Sequence, residues 1–222
     1  MKYKLIILFI VLVKCSVLLG QDPVFTDGKI FTYRAIYEDS INQIFTEDTI
    51  ELIITDIPWK QQPDKQTTMI WKYHSRPDAI IKSKIFSIGW VDIDSTGFIE
   101  NENNFFIHPP RHHQYSVTEI APFPELQFPL EINKEYKKII FIGSGWGEWS
   151  QLKLKFNYKV SSLTERSIGK DQYKCWMIQS TSTSELGQSK LDFTFSEEIG
   201  FIEMHYHIYN GIKIKFELIE IK

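Results

Sequence analysis

From Leu152 to Val160 the chain alternates without a break. Leu152, Leu154, Phe156, Tyr158 and Val160 fall on one face of an extended chain, and Lys153, Lys155, Asn157 and Lys159 fall on the other. Successive strand side chains point to opposite faces, so this run is a strand with one face on a core and one in water. A helix would scatter the same residues around its whole surface. The feature is not local. Tyr173–Ser182, Lys190–Ser196, Phe201–Tyr209 and Ile212–Ile221 carry the same pattern and are separated by Glu185-Leu-Gly187, Glu197-Glu-Ile-Gly200 and Asn210-Gly211. Those punctuation residues make the C-terminal third a meander. Asn-Gly between alternating runs predicts a tight hairpin of type I′. In the last run Ile212, Ile214, Phe216 and Leu218 alternate, and the alternation slips after Leu218, which predicts a bulge or a fraying end.

The N-terminal half offers strands near Ile30–Tyr37, Thr49–Asp56, Thr68–Tyr73 and Lys84–Ile93. No amphipathic helix competes with them. Between Asn101 and Asn133 the character changes. This stretch holds Pro109, Pro110, Pro122, Pro124 and Pro129, five of the nine prolines. Proline cannot donate into a central ladder, so a long Pro-rich connection is expected. It also carries Phe105, Phe106, Ile107, Ile120, Phe123, Leu126 and Phe128, so it should pack down. The fold class is all-β and mostly antiparallel: a sandwich, or an open, curved, barrel-like sheet. One β-rich domain over 21–222 is favoured over a split near 133, because the connection is too apolar for a flexible linker.

The first 20 residues follow a secretory leader. Lys2 and Lys4 precede an apolar run from Leu5 to Val13, and Ser16–Gly20 supplies a cleavage region. The apolar run is too short for a bilayer span, which needs about 20 residues. The protein is therefore expected outside the cytoplasm: periplasmic, outer-membrane-associated or secreted, with no transmembrane span after leader removal. Lipidation at Cys15 is the weaker reading, because Lys14 breaks the apolar-small-Cys pattern. Leader removal leaves Cys175 alone, so no internal disulfide forms. Its strand-like setting marks it as a small buried hydrophobe. The net charge of −3 over 222 residues argues against a nucleic-acid partner.

Several clusters could carry chemistry. Glu203, His205 and His207 share one strand face, and a loop histidine, His112 or His113, could complete a zinc site. The competing reading is a solvated strand face. The Gly-rich Gly143–Trp149 stretch presents Trp146 and Trp149 as a sugar-stacking platform, or else as core. Arg111 and His108 sit in the Pro-rich segment, where Arg111 could hold an anion or clamp the loop through a carboxylate. Asp92-Ile-Asp94-Ser-Thr96-Gly97 has the oxygen spacing of a calcium loop, but Asn103 stands where the bidentate Glu belongs, and a β-turn is favoured. Glu197-Glu198 cannot flank one bond, since neighbours on a strand face opposite ways. No catalytic residue is assigned and no cofactor is required, so an enzyme is the less favoured class.

Asn101-Glu102, Phe105-Phe-Ile-His108-Pro-Pro-Arg111, Ala121-Pro-Phe-Pro124 and Gly145-Trp-Gly147 with Trp149 resemble a group of secreted or envelope proteins of Bacteroidetes. The tail from Phe193 to Gly211 is similar to the closing hairpins of curved-sheet envelope proteins. The resemblance implies an exported β protein and supplies no catalytic residues. The chain itself is read as a cell-envelope protein with a binding or structural role, with a glycan or another envelope protein as partner.

Overall fold

The computed structural model describes residues 23–38, 45–74, 92–111, 113–143 and 149–222. The leader, most of the strand expected at Lys84–Ile93, His112 and Trp146 lie outside them. Twelve strands form one sheet: β1 Ile30–Glu38, β2 Phe45–Pro58, β3 Thr67–Tyr73, β4 Ile93–Glu100, β5 Asn104–Ile107, β6 Glu125–Gln127, β7 Glu135–Ile142, β8 Leu152–Ile168, β9 Asp171–Ser184, β10 Gly187–Ser196, β11 Gly200–His207 and β12 Lys213–Ile221. The order across the sheet is β6-β5-β4-β3-β2-β1-β12-β11-β10-β9-β8-β7, antiparallel throughout. Of the two architectures, the curved barrel-like sheet is the one formed, and no second sheet among the described residues packs against it to make a sandwich. The two chain halves join by the ladder between β1 and β12, with Tyr33 opposite Leu218.

The sheet bends until its end strands, β6 and β7, face each other. No ladder joins them. Side chains do: the Tyr136 hydroxyl donates to the Glu125 carbonyl at 2.6 Å, and the Lys138 ammonium meets the Glu125 carboxylate at 2.6 Å. Lys134 donates to the carbonyls of Gln127 and Pro129, both at 2.7 Å. Residue 133, where the sequence admitted a split, lies at this seam.

The interior is filled with aromatic rings. Phe105 packs edge-on against Phe25, Phe195 and Phe201 at 4.8–5.3 Å between ring centres. Tyr115 stacks near Tyr73 at 6.0 Å and meets Phe216 at 5.3 Å. Edge-to-face contacts at these separations add to what burial alone contributes.

The Pro-rich segment packs inward as its apolar content requires, and it does more than connect. It supplies β5 and β6, and a short 3-10 helix, His113–Ile120, lies between them. Its prolines all fall outside strands. Side-chain hydrogen bonds pin it to the barrel and close it on itself. Trp71 Nε1 donates to the His108 carbonyl at 3.0 Å, and the Ser182 hydroxyl to the Ile120 carbonyl at 2.8 Å. The Tyr158 hydroxyl donates to the Phe123 carbonyl at 3.2 Å, and the Thr118 hydroxyl closes the segment on the Pro110 carbonyl at 2.7 Å.

Two turn expectations change. Asp94–Gly97 is not a turn but the middle of β4, which puts Asp94, Thr96 and Phe98 on the interior face. Gly97 is there because a Cβ would strike the Gln66 side chain. A straight strand cannot wrap oxygens around one ion, so the calcium-loop geometry is absent from this stretch. At the β11–β12 hairpin only Gly211, at φ 90°, takes a positive φ, not both central residues. The bonds from Gly211 N to Ile208 O and from Ile208 N to Ile212 O make a longer turn with a left-handed glycine. The slip after Leu218 is a bulge: Thr32 faces Glu220 while Tyr33 faces Leu218, which leaves Ile219 unpaired.

Candidate binding site on the outer wall

The pattern that buries every second residue of β7–β12 displays the others outside. Register then assembles them into rows. One row crosses the sheet as Glu135, Lys159, Gln179, Asp192, His205 and Lys215. The next runs Lys137, Asn157, Thr181, Lys190, His207 and Lys213. Between β7 and β10 the curvature turns these rows into a groove of about 450 Å³. Its walls are Glu135, Lys137, Asn157, Lys159, Gln179, Thr181, Lys190 and Asp192, with Tyr136, Tyr158 and Ser180 at the base. Lys159 pairs with Glu135 at 3.6 Å. Three ammonium groups against two carboxylates make the groove basic on a chain of net charge −3. Amide and hydroxyl groups complete a surface of mixed donors and acceptors.

Alternation had already placed Lys153, Lys155, Asn157 and Lys159 on a wet face. The groove itself went unread, because it exists only once four polar faces lie side by side. The signal was available in principle, since β7 to β10 are consecutive hairpins and their polar faces must adjoin.

Glu203, His205 and His207 do share the outer face of β11, as the spacing requires. Glu203 is already engaged: Arg166 Nε donates to one carboxylate oxygen at 2.9 Å and the Thr194 hydroxyl to the other at 2.9 Å. Burial pushes its carboxyl up, but these bonds and the Arg166 charge together hold it below the usual range. His205 is half-buried, and that burial lowers its pKa more than Glu203 raises it. His207 is exposed. Among the described residues no three His, Cys, Asp or Glu side chains come together to hold a metal ion. His112 and the side chain of His113 are outside the described residues, so neither can be set against this group.

The loop candidates go inward. The His108 ring lies against Phe106 at 4.8 Å and Phe123 at 5.3 Å. Burial, reinforced by the positive charges of Arg111 and Lys138, pushes its pKa down to about 3. Arg111 bridges two strongly buried carboxylates, Glu119 at 3.3 Å and Asp94 at 3.7 Å. That geometry is a clamp between the 3-10 helix and β4. Trp149 is half-buried and packs on the core. Its loop is closed by Gln151 N donating to the Gly143 carbonyl at 2.9 Å. Cys175 is fully buried, its thiol pushed up to about 11 by burial first. A thiol so protonated is a poor nucleophile. No helix among the described residues is long and apolar enough to cross a membrane.

No family model matches the chain, and no curated protein matches it either. Among solved structures it is similar to an exported-protein candidate of Bacteroides fragilis with a YmcC-like fold, at TM-score 0.49 and 6% identity over 89% of this chain and 96% of that one. It is also similar to a lipoprotein candidate of Parabacteroides distasonis, at 0.48 and 10% over 89% and 96%. The hypothetical lipoprotein YmcC of Escherichia coli follows at 0.42 and 10%, over 87% and 88%. Likenesses at these TM-scores and identities transfer no function.

Proposed function

We propose that this is an exported, non-catalytic binding protein of the cell envelope, and that it holds an acidic glycan in the outer groove between β7 and β10. One observation carries the reading: a polar groove of about 450 Å³ lies on the outside of the curved wall, with Lys137, Lys190, Asn157, Gln179 and Thr181 among its lining. A ligand there meets ammonium groups of Lys137 and Lys190 for its acidic groups, and Asn157, Gln179 and Thr181 for its hydroxyls. The leader plan and the resemblance to secreted Bacteroidetes proteins support export. Isothermal titration of the full chain with uronic-acid oligosaccharides tests the site. Binding should weaken at least tenfold in Lys137→Ala/Lys190→Ala and fall with salt, as charge-assisted contacts do. Equal binding by the double variant, or no binding of any acidic oligosaccharide, sinks the reading.

A further inference from the structure

Beyond the groove, toward the far end of β7, two apolar side chains stand in the open. Ile139 and Phe141 are 63% and 60% exposed, the highest values among the exposed large hydrophobics of the described residues. They lie two apart on one strand and therefore on one face. Their cross-strand partners on β8 are Lys155 and Lys153, and Lys137 precedes them on β7. All three lysines are exposed, and among the described residues none makes an ion pair. β7 is also a sheet-end strand, and among the described residues its hydrogen bonds to β6 come from Tyr136 and Lys138.

Three kinds of occupant could cover such a patch. A soluble polyanion uses the lysines and leaves Ile139 and Phe141 in water. An added β-strand uses the strand edge and the apolar pair but meets Lys153 and Lys155 with nothing in particular. A bilayer surface bearing anionic headgroups uses both, because its interface is negative outside and apolar a few ångströms in. We infer that the Ile139–Phe141 patch of β7, with Lys153 and Lys155, docks the barrel against an anionic membrane surface. Phe141 and Ile139 enter the headgroup boundary, and the lysines meet the phosphates. The groove lies alongside, so its ligand would be held next to the membrane. The docking does not depend on the groove being occupied.

The test places an environment-sensitive nitrobenzoxadiazole label at position 141 of the leader-free chain from Gln21 on, as Phe141→Cys. Buried, protonated Cys175 stays unlabelled in the folded protein. With vesicles of phosphatidylcholine and phosphatidylglycerol the label should brighten and shift blue. A label at Ile57→Cys, an exposed position on β2, should not. In vesicle flotation, Lys153→Gln/Lys155→Gln should weaken binding about 30-fold, at about 1 kcal/mol for each lysine near a charged surface. Ile139→Ser/Phe141→Ser should weaken it at least tenfold, and these exposed positions leave the core intact. Three results overturn the inference. The first is flotation with a silent label at 141, which means another segment holds the membrane. The second is equal binding on pure phosphatidylcholine. The third is a label that responds to protein concentration without vesicles, which means a second copy pairs with β7.

Discussion

The meander β8–β12 and the Pro-rich segment 101–133 solve one problem in opposite ways. The meander buries its apolar face through alternation, and every neighbour relation is a backbone ladder between consecutive hairpins. The segment 101–133 has too many prolines for continuous ladders. It enters the barrel and is fixed by side chains: Trp71, Ser182, Tyr158 and Tyr136 all donate to its carbonyls. A carbonyl taken out of water needs such a donor. The lesson is that a barrel whose sheet does not close by its own ladder can be closed and filled by one irregular segment. The cost is that a few side chains then hold what a ladder would spread over many bonds.

The contrast breaks first at Phe123. Its ring is 1% exposed and touches Phe106, His108 and Phe156. Phe123→Ala should cost about 3–5 kcal/mol in denaturant unfolding, the range for deleting a buried phenyl ring. A cost near that of an exposed position would mean the segment does not belong to the folding unit. Arg111→Gln comes next. It strips Asp94 and Glu119 of their shared cation while both stay buried, and should cost about 3 kcal/mol. Double substitution with Glu119→Gln should recover part of that loss, since it removes a buried charge as well.

His108 sharpens the comparison through pH. In the unfolded chain its pKa is about 6.5, and in the fold it is about 3. Between these values the unfolded state binds more protons, so stability rises with pH. The contribution is complete above about pH 6.5 and is lost as pH falls toward 3, at about 1.4 kcal/mol per pH unit. His205, lowered by burial on the meander's outer face, adds a slope of the same sign. Stability curves of wild type, His108→Phe and His205→Gln between pH 5 and pH 7 separate the two. The larger flattening should come from His108→Phe. If the wild-type curve is already flat, His108 is not buried as a neutral ring.

The two regions also differ in how much of them could be read in advance. Each meander strand was visible because alternation and turn glycines agree, down to the slip after Leu218, which the ladder to β1 makes a bulge and not a fraying end. The Pro-rich segment was legible only in sum. Its apolar content required packing, but β5 and β6 are four and three residues long and have no period to detect. Arg111 showed its clamp role as one of two choices, because the carboxylates it joins are 17 residues apart at Asp94 and 8 away at Glu119. The groove needed the sheet order before Lys137, Asn157, Thr181 and Lys190 could be seen as one row. Ile139 and Phe141 stand out only in the structure, where β7 proves to be a strand at the sheet's end and both side chains are exposed.

The smallest effect tests the seam itself. Tyr136 stacks on Tyr158 at 4.8 Å with their planes 9° apart, and its hydroxyl reaches the Glu125 carbonyl. Tyr136→Phe keeps the stack and removes only the bond. A buried carbonyl left without its donor costs about 1 kcal/mol. Because no ladder joins β6 to β7, that cost should appear locally. Amide exchange should quicken in β6, whose only laddered neighbour is β5, and stay slow in β9–β11, which are laddered on both sides. If protection drops equally across β9–β11, the seam and the meander unfold as one cooperative unit. The side-chain closure would then be as strongly coupled to the sheet as a ladder would be.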